Sequence, residues 1–219
     1  MHEAPKGQLD IAPTFSEHQY RQLFRCPRPV MPQVQTLKPN VTREEAICHF
    51  TNGVLNSAVE MIRGPVRSLA EFYIPYRLFQ VRIRSGGREQ TQTFAMDAVR
   101  GVLDLFQLPA LTADHQFLTV QTRNVLPAGL DTKQAEERLI AKVRRMIFTR
   151  GFFRVRDLNI EVTPLSGEIC VPYWVCFRGS GERAHLAILD AVRRRPEGAK
   201  VRRLVEDWLR SDAGTSTTS

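Results

Sequence analysis

The stretch at residues 170–178 holds residue types that are well suited to bind an aromatic or anionic ligand. Trp174 lies four residues before Arg178, and an earlier stretch of similar composition carries Arg77 and Arg82. Aromatic rings stack on bases, and arginine forks contact phosphates or carboxylates. One interpretation of these four residues is therefore an aromatic platform for a base or a peptide.

The alternation of side chains along the same stretch supports a structural interpretation, which we favour. Its odd-numbered residues from 171 to 177 are Val, Tyr, Val and Phe, and its even-numbered residues from 170 to 176 are Cys, Pro, Trp and Cys. Neighbouring side chains of a strand point to opposite faces, so both faces here are apolar. The pattern predicts a central strand that is covered on one face by a helix and on the other by the second half of the chain or by a second subunit.

A basic group, Arg138, Lys142 and Arg145, recurs at helical spacing and predicts a charged flank opposite an apolar stripe. We favour an ordinary solvated surface, and we keep a basic nucleic-acid-associated protein that contacts phosphates as the alternative. The net charge is +8, and only five of the 31 basic residues are lysine. This charge is compatible with an anionic partner without identifying one.

Motifs for catalysis or metal binding are missing from the sequence. The five histidines stand alone, and no HExxH, GxSxG or phosphate-loop pattern occurs. A zinc site that combines Cys48 and His49 with Cys170 and Cys176 fits no familiar ligand spacing. The prediction is a chain with no cofactor, no metal and no assigned catalytic residue, and an unrecognised enzyme is the less favoured alternative.

The cellular compartment is predicted from two further features. No run approaches the roughly 20 apolar residues of a membrane helix, and the first ten residues lack the apolar core of a secretory signal. A cytoplasmic protein without membrane contact is therefore expected.

Two short patterns occur twice in the sequence, and they predict the structural elements that position these residues. Ile-Pro-Tyr at 74–76 is matched by Val-Pro-Tyr at 171–173, and Asp-Ala-Val-Arg at 97–100 is repeated at 190–193. Duplication of this kind predicts two copies of one supersecondary unit.

Each unit is predicted to begin at a Val-Gln-Thr tripeptide, at 34–36 and 120–122, and to continue after a short linker with a helix. Thr42 and Glu45 form a capping box, and Asp131 and Gln134 offer the same arrangement three residues apart. Both helices are predicted to end at an Arg-Gly pair, at residues 63–64 and 150–151, where glycine adopts the left-handed conformation. A further helix is predicted to open at Pro196.

Strands are predicted after each helix. The first unit has strands at 72–84 and 88–96, joined by a Gly-Gly turn. The second has strands at 153–162, 168–178 and 182–189, with a turn at 164–167. Residues 94–106 also fit a helix, but we favour a strand that ends at Asp97, a turn and another short strand.

Pro75 and Pro172 interrupt the predicted strands and cannot donate to a ladder, so each is expected at a strand start, a bulge or an edge. If they lie at an edge, a partner strand is able to pair there, including the same strand of a second molecule. This is a hypothesis for a homodimer.

The unit resembles the PepSY family of small α+β domains. The residues that carry the resemblance are 42–46, 76–83 and 97–103 in the first copy, and 171–177 and 190–191 in the second. Arg194 stands where the closing turn of the family has glycine. The resemblance implies a helix packed across an antiparallel sheet in a binding or regulatory module, often one that modulates a protease, and it supplies no catalytic residues.

The sequence therefore predicts an α+β fold of two tandem repeats, each a helix on an antiparallel sheet, followed by a C-terminal helix. The two sheets are expected to join with their helices on a single face. The predicted divisions are a flexible arm at 1–29, repeats at 30–108 and 109–192, a helix at 193–211 and a disordered tail at 212–219. The predicted function is a non-catalytic interaction or regulatory module with a protein partner or with itself.

Overall fold

The strands dominate the fold, which is known from a computed structural model that describes residues 31–51, 64–108, 117–149, 157–179 and 185–215. The predicted arm at 1–29 and the predicted helix ends at residues 63 and 150–151 lie outside these ranges. Eight strands and three helices are described. The strands are β1 (Gln33–Leu37), β2 (Val66–Ser85), β3 (Arg88–Asp97), β4 (Phe106–Leu108), β5 (Phe117–Gln121), β6 (Asn159–Arg178), β7 (His185–Asp190) and β8 (Arg195–Pro196). The helices are α1 (Arg43–Thr51), α2 (Thr132–Thr149) and α3 (Ala199–Thr215).

All eight strands join one curled, mixed sheet. Its main path runs β4-β3-β2-β6-β1-β5. β7 pairs with the C-terminal part of β6, from Tyr173 to Arg178, and β8 pairs with β7. The two longest strands, β2 and β6, pair antiparallel along almost their whole length, with Ile74 opposite Val171. β1 runs parallel to β6 at Thr36 and pairs antiparallel with β5. The expected joining of the two sheets into one is thus observed.

Helices cover both faces of this sheet, which corrects the expectation of a single helical face. On one face, α1 packs against β6 and β7 around Trp174, and α2 packs against β2 and β3 around Phe79. On the other face, Val201, Leu204 and Val205 of α3 complete the central core. Alternation explains this arrangement, because long strands with two apolar faces need a cover on each side.

The helix starts agree with the prediction. The amide of Glu45 donates to Thr42 Oγ1 at 3.2 Å, and the amide of Thr42 donates to Glu45 Oε2 at 2.8 Å. Asp131 and Gln134 exchange the same two bonds, at 3.4 and 2.7 Å. Both capping boxes are confirmed.

Residues 94–106 contain no helix, which confirms the favoured interpretation. β3 ends at Asp97, a turn follows, and β4 begins at Phe106. The Gly86-Gly87 hairpin is also present, with φ values of 55° and 77° that favour glycine.

The turn predicted at 164–167 is wrong, because β6 runs through it without reversing. β2 pairs with β6 on both sides of this point, and three residues bulge out between Pro164 and Glu168. Gly167 permits the bulge with a φ of 97°. A long-range partner strand here prevails over local turn residues.

Two boundaries near the C-terminus also differ from the prediction. Pro196 pairs with Leu189 in β8, so α3 begins three residues later, at Ala199. The helix then continues to Thr215, through residues that were expected to be a disordered tail.

Pro75 and Pro172 lie inside the longest strands rather than at a sheet edge. The carbonyl of Pro75 accepts from the amide of Ala98 at 2.8 Å, and the carbonyl of Pro172 accepts from that of Ala191 at 3.1 Å. The nitrogen of a strand residue faces the same side as its own carbonyl, so each proline nitrogen points to the place where one neighbouring strand ends. The proline segments therefore do not form the exposed edge on which the homodimer hypothesis depended.

Candidate ligand-binding cavity

Trp174 belongs to the core rather than to a stacking platform. Its side chain is only 8% exposed, and its indole Nε1 donates to the Val41 carbonyl at 3.0 Å. Residues of α1 pack over the ring. This agrees with the structural interpretation of the 170–178 stretch, which is a central strand covered on both faces.

The three arginines predicted beside Trp174 do not converge on it. Arg77 pairs with Glu168 at 3.0 Å, and Arg82 pairs with Glu89 and Glu161 at 3.3 Å each on an exposed part of the sheet. Arg178 is buried, and its guanidinium donates to the Phe50 carbonyl at the last turn described for α1. These side chains bind parts of the protein itself.

Two of the three residues in the predicted basic flank of α2 also bind parts of the protein itself. Arg138 and Lys142 donate to the carbonyls of Arg100 and Leu103, so both hold the turn after β3. Burial lowers the pKa of Lys142. Arg145 is exposed. Arg138 and Arg145 are thus exposed and Lys142 is half-buried, and of the three only Arg145 has no such bond to the turn.

A different group of residues forms a cavity of about 260 Å³ beside α3. Its floor contains Tyr76 and Tyr173, each 1% exposed, with hydroxyl oxygens 3.0 Å apart. These are the tyrosines of the two Pro-Tyr dipeptides, which the antiparallel pairing of β2 with β6 brings together. Leu103 and Val201 add apolar walls.

The turn that follows β3, residues 97–101, is called the first Asp turn. Asp97 is fully buried and accepts three backbone N–H groups. Its Oδ1 receives those of Arg100 at 2.9 Å and Gly101 at 2.7 Å, and its Oδ2 receives that of Leu103 at 2.8 Å. The carboxylate fixes the chain that leads into the cavity wall at Leu103.

The turn that follows β7, residues 190–194, is called the second Asp turn. Asp190 is also fully buried, and its Oδ1 accepts from the amides of Val192 and Arg193 at 2.8 and 2.7 Å. Its Oδ2 has no hydrogen bond, and Arg193 Nε lies 3.9 Å away. Burial is the main cause that raises the pKa of Asp190.

Arg193 connects this turn to the cavity. Its guanidinium carbon lies 3.2 Å from the centre of the Phe106 ring, and its NH2 group donates to the Leu105 carbonyl at 3.0 Å. The Phe106 ring meets the Tyr76 ring edge to face, with centres 5.3 Å apart. A cation on an aromatic face is favourable, especially where water is excluded.

The rim of the cavity is charged. Arg195 Nε pairs with Glu197 Oε1 at 3.2 Å, and Lys200 Nζ pairs with Asp104 Oδ1 at 3.5 Å. Burial is the main cause that raises the pKa of Glu197. Residues 197–201, at the start of α3, complete the rim.

The two tyrosines on the floor of this cavity are suited to binding rather than to nucleophilic attack. Burial raises the pKa of both Tyr76 and Tyr173 far above the ordinary range, so the phenols stay neutral and act as hydrogen-bond donors or acceptors. Elsewhere, burial and the nearby Glu168 raise the pKa of Cys170 to about 11, which keeps that thiol protonated.

The sequence patterns missed this site, although one signal for it was present. The repeated Pro-Tyr dipeptides mark the two floor residues. Their meeting depends on the register between β2 and β6, which is a long-range property that no local pattern reveals.

Within the described ranges, no three His, Cys, Asp or Glu side chains form a group that would hold a metal ion. Among the described helices, none is long and apolar enough to cross a membrane. Comparison with protein-family models, with curated proteins and with solved structures finds no match to this chain.

Proposed function

We propose that this chain is a non-catalytic interaction or regulatory module of the cytoplasm, controlled by a small ligand in the cavity beside α3. The observation that carries the proposal is the buried hydroxyl pair of Tyr76 and Tyr173, 3.0 Å apart, on the floor of a 260 Å³ cavity. Apolar walls with a few convergent polar groups are typical of small-molecule sites. The volume fits a ligand smaller than most nucleotides.

The finer architecture that we propose is a tandem duplication, with copies at 30–108 and 109–192. Matching contacts around the two Pro-Tyr dipeptides support it. Tyr76 pairs with Asp97 across β2 and β3, and Tyr173 pairs with Asp190 across β6 and β7. Both turns also contain a residue of positive φ at the corresponding place, 64° at Gly101 and 57° at Arg194. The arginine thus adopts the backbone conformation of the glycine that it replaces.

The proposed copies exchange their helices. The buried strand residues around α1 belong to the second copy and those around α2 belong to the first, while half-buried residues such as Leu69 and Val162 add a smaller contact from the other copy. The loops before the helices support this pairing, since the amide of Asn40 donates to the Ala191 carbonyl and that of Gly129 donates to the Ala98 carbonyl, at 2.7 and 2.9 Å. Exchange of this kind makes the two copies one folding unit, with the tyrosine pair between them.

The similarity to PepSY domains remains part of the proposal. It rests on residues 42–46, 76–83 and 97–103 and on their counterparts at 171–177 and 190–191, and it favours a regulatory role for the ligand-bound module. A protein partner follows from this role.

Thermal unfolding of the full chain with a library of small metabolites tests the proposed function. A ligand present at 100 times its Kd adds about 2.7 kcal/mol of stability, which raises the Tm of a chain of this size by roughly 5–10 °C. We expect at least one compound to do so and to be recovered unchanged by mass spectrometry. A compound consumed by the protein would contradict the non-catalytic role.

A matched pair of variants locates the binding. Ala199 lines the cavity at the exposed first turn of α3, so Ala199→Trp fills the cavity with little effect on the core. Lys133→Trp makes the corresponding change at the exposed first turn of α2, outside the lining. We expect Ala199→Trp alone to abolish the Tm shift. No stabilising compound, or equal shifts in both variants, would refute the proposal.

A further inference from the structure

We propose that the ligand of this cavity is a small organic oxyanion, with a carboxylate or phosphate head bound at the N-terminus of α3. This inference rests on the proposed function and specifies its ligand class. Three independent features of the cavity point to an acceptor of hydrogen bonds with negative charge.

The first feature is the start of α3, which differs from those of α1 and α2. Thr42 and Asp131 cap the other two helices with a side-chain oxygen. In α3 the corresponding residue is Gly198, whose carbonyl accepts the first helical bond from Arg202 at 3.3 Å. Glycine has no side-chain oxygen, and among the described residues no side chain accepts from the first turn of this helix. The N–H groups and the positive end of the dipole are left for an external anion.

The second feature is the tyrosine pair. Two hydroxyl groups carry two hydrogens, and the bond between Tyr76 and Tyr173 uses one of them. The other hydrogen has no acceptor among the described residues, although both side chains are 99% buried. Buried donors are nearly always satisfied. The cavity that both rings line is where an acceptor atom of a ligand completes this bond.

The third feature is the balance of charge around the cavity. Three cations line it, namely Arg193, Arg195 and Lys200, against two anions, Asp104 and Glu197. In the structure, Arg195 pairs with Glu197 and Lys200 pairs with Asp104, while Arg193 stacks on Phe106. Arg193 also pairs with the buried Asp190 carboxylate at 3.9 Å, so the positive heads open to a ligand oxyanion are those of Arg195 and Lys200, whose side chains are 47% and 66% exposed.

The size of the cavity indicates the rest of the ligand. A volume of about 260 Å³ is several times that of a phosphate or carboxylate group alone. Leu103, Val201 and the tyrosine rings offer apolar contact to the remaining part. A short organic body attached to the charged head fits this combination.

Calorimetric titration of the full chain in Tris buffer of low ionic strength tests the ligand class. Benzoate and phenyl phosphate carry the predicted head on a ring, and benzylamine has nearly the same shape with the opposite charge. We expect at least one of the two anions to bind at least ~10-fold more tightly than benzylamine, because each rim cation favours negative charge. Tighter binding of benzoate than of phenyl phosphate would indicate a carboxylate head, and the reverse would indicate a phosphate head. Benzylamine binding as tightly as both anions would overturn the inference.

Two substitutions at Gly198 provide a control that does not depend on loss of the fold. A Cβ at this position meets no atom within 4 Å. Gly198→Asp places a carboxylate at the cap position, where it stabilises α3 and occupies the anion site. We expect it to raise the Tm and to weaken anion binding at least ~10-fold more than Gly198→Ala does, because the alanine brings no negative charge to the helix start. Anion binding by Gly198→Asp that equals that of the natural chain would refute the role of the helix start.

The two levels of proposal fail in different ways. If a neutral or cationic metabolite gives a Tm shift that Ala199→Trp abolishes, the binding module stands and the oxyanion inference is wrong. If Ala199→Trp does not abolish the Tm shift of any compound, anionic or otherwise, the proposed function itself is wrong.

Discussion

The first and second Asp turns share a residue of positive φ four places after the aspartate, but they differ in how well their polar groups are satisfied. The alanine amide of each turn donates to the carbonyl of a strand proline, at 2.8 Å in the first turn and 3.1 Å in the second. Asp97 uses both oxygens to accept three N–H groups, whereas Asp190 leaves its Oδ2 without a hydrogen bond. The first turn is built for stability, and the second retains an unsatisfied buried oxygen next to the cavity.

The backbone shows the same contrast. The left-handed position is Gly101 in the first turn and Arg194 in the second, with φ values of 64° and 57°. A left-handed conformation costs an ordinary residue roughly 1–2 kcal/mol and costs glycine little. Strain and unsatisfied groups gather at functional sites more often than elsewhere. The difference between the two turns therefore agrees with a binding role at the second.

The largest expected effect comes from removing the two aspartates. Hydrogen bonds to a charged group contribute roughly 1.5–3 kcal/mol each, and Asp97 accepts three. We expect Asp97→Ala to lower the free energy of unfolding by about 4 kcal/mol or more. Asp190→Ala removes two bonds together with a poorly satisfied buried charge, so we expect about 1–2 kcal/mol. Urea unfolding of both variants measures the difference, and equal losses would remove the contrast between the turns.

The left-handed positions allow a reciprocal test with a smaller effect. A Cβ on Gly101 would lie 2.9 Å from Arg138 Cδ and 3.0 Å from Leu130 Cδ1. We therefore expect Gly101→Ala to destabilise the fold by about 2 kcal/mol, from conformational strain and close contact together. Arg194→Gly relieves strain but adds entropy to the unfolded chain, so we expect a gain of up to about 1 kcal/mol.

A matched glycine controls for the substitution itself. Gly198→Ala adds the same methyl group in open space and at a position without positive φ. We expect its Tm to change by less than half as much as that of Gly101→Ala. A loss of stability in Arg194→Gly would mean that the contact of Arg194 with the Asn40 carbonyl outweighs its strain.

Local signals in the sequence predicted the local parts of this fold. The capping boxes at Thr42 and Asp131 depend on residues three apart, and the structure forms both. The alternation at 170–178 predicted a doubly covered strand because side-chain direction follows from the strand itself. The Asp-Ala-Val-Arg pattern occurs twice in the sequence, and each occurrence forms a turn at the end of a strand.

Long-range pairing determined what the sequence could not predict. Pro164 to Gly167 have the residue types of a turn, but β2 pairs on both sides and keeps β6 continuous. Arg138 and Lys142 have the spacing of a solvated flank, but the chain in and just after the first Asp turn lies beneath them and supplies the carbonyls of Arg100 and Leu103 as acceptors. The cavity was missed for the same reason. Its floor combines Tyr76 with Tyr173, and its rim combines Asp104 with residues 195–201, so each part joins two segments that are distant in the sequence.

The pH dependence of stability gives the subtlest test of the contrast. Burial raises the pKa of Asp190, so the folded state holds this proton more tightly than the unfolded chain does. Stability from this group is complete below the ordinary pKa of an aspartate, and it is lost as the pH rises through the higher pKa of the folded state. Asp190→Asn stays neutral throughout, so it does not lose stability in this window.

We therefore expect the unfolding free energy of Asp190→Asn, relative to the natural chain, to increase as the pH rises through the acidic range. Urea unfolding at a series of pH values measures this difference. Glu197 also has a pKa raised mainly by burial, so Glu197→Gln is expected to give the same sign for the same reason. Glu89 is the control, because the hydrogen bond from Arg84 is the first cause that lowers its pKa. Glu89→Gln therefore changes the profile in the opposite direction or, at this exposed site, hardly at all.

If Asp190→Asn instead lost stability relative to the natural chain as the pH rose, the ion pair with Arg193 would outweigh burial, and the second Asp turn would be as well satisfied as the first.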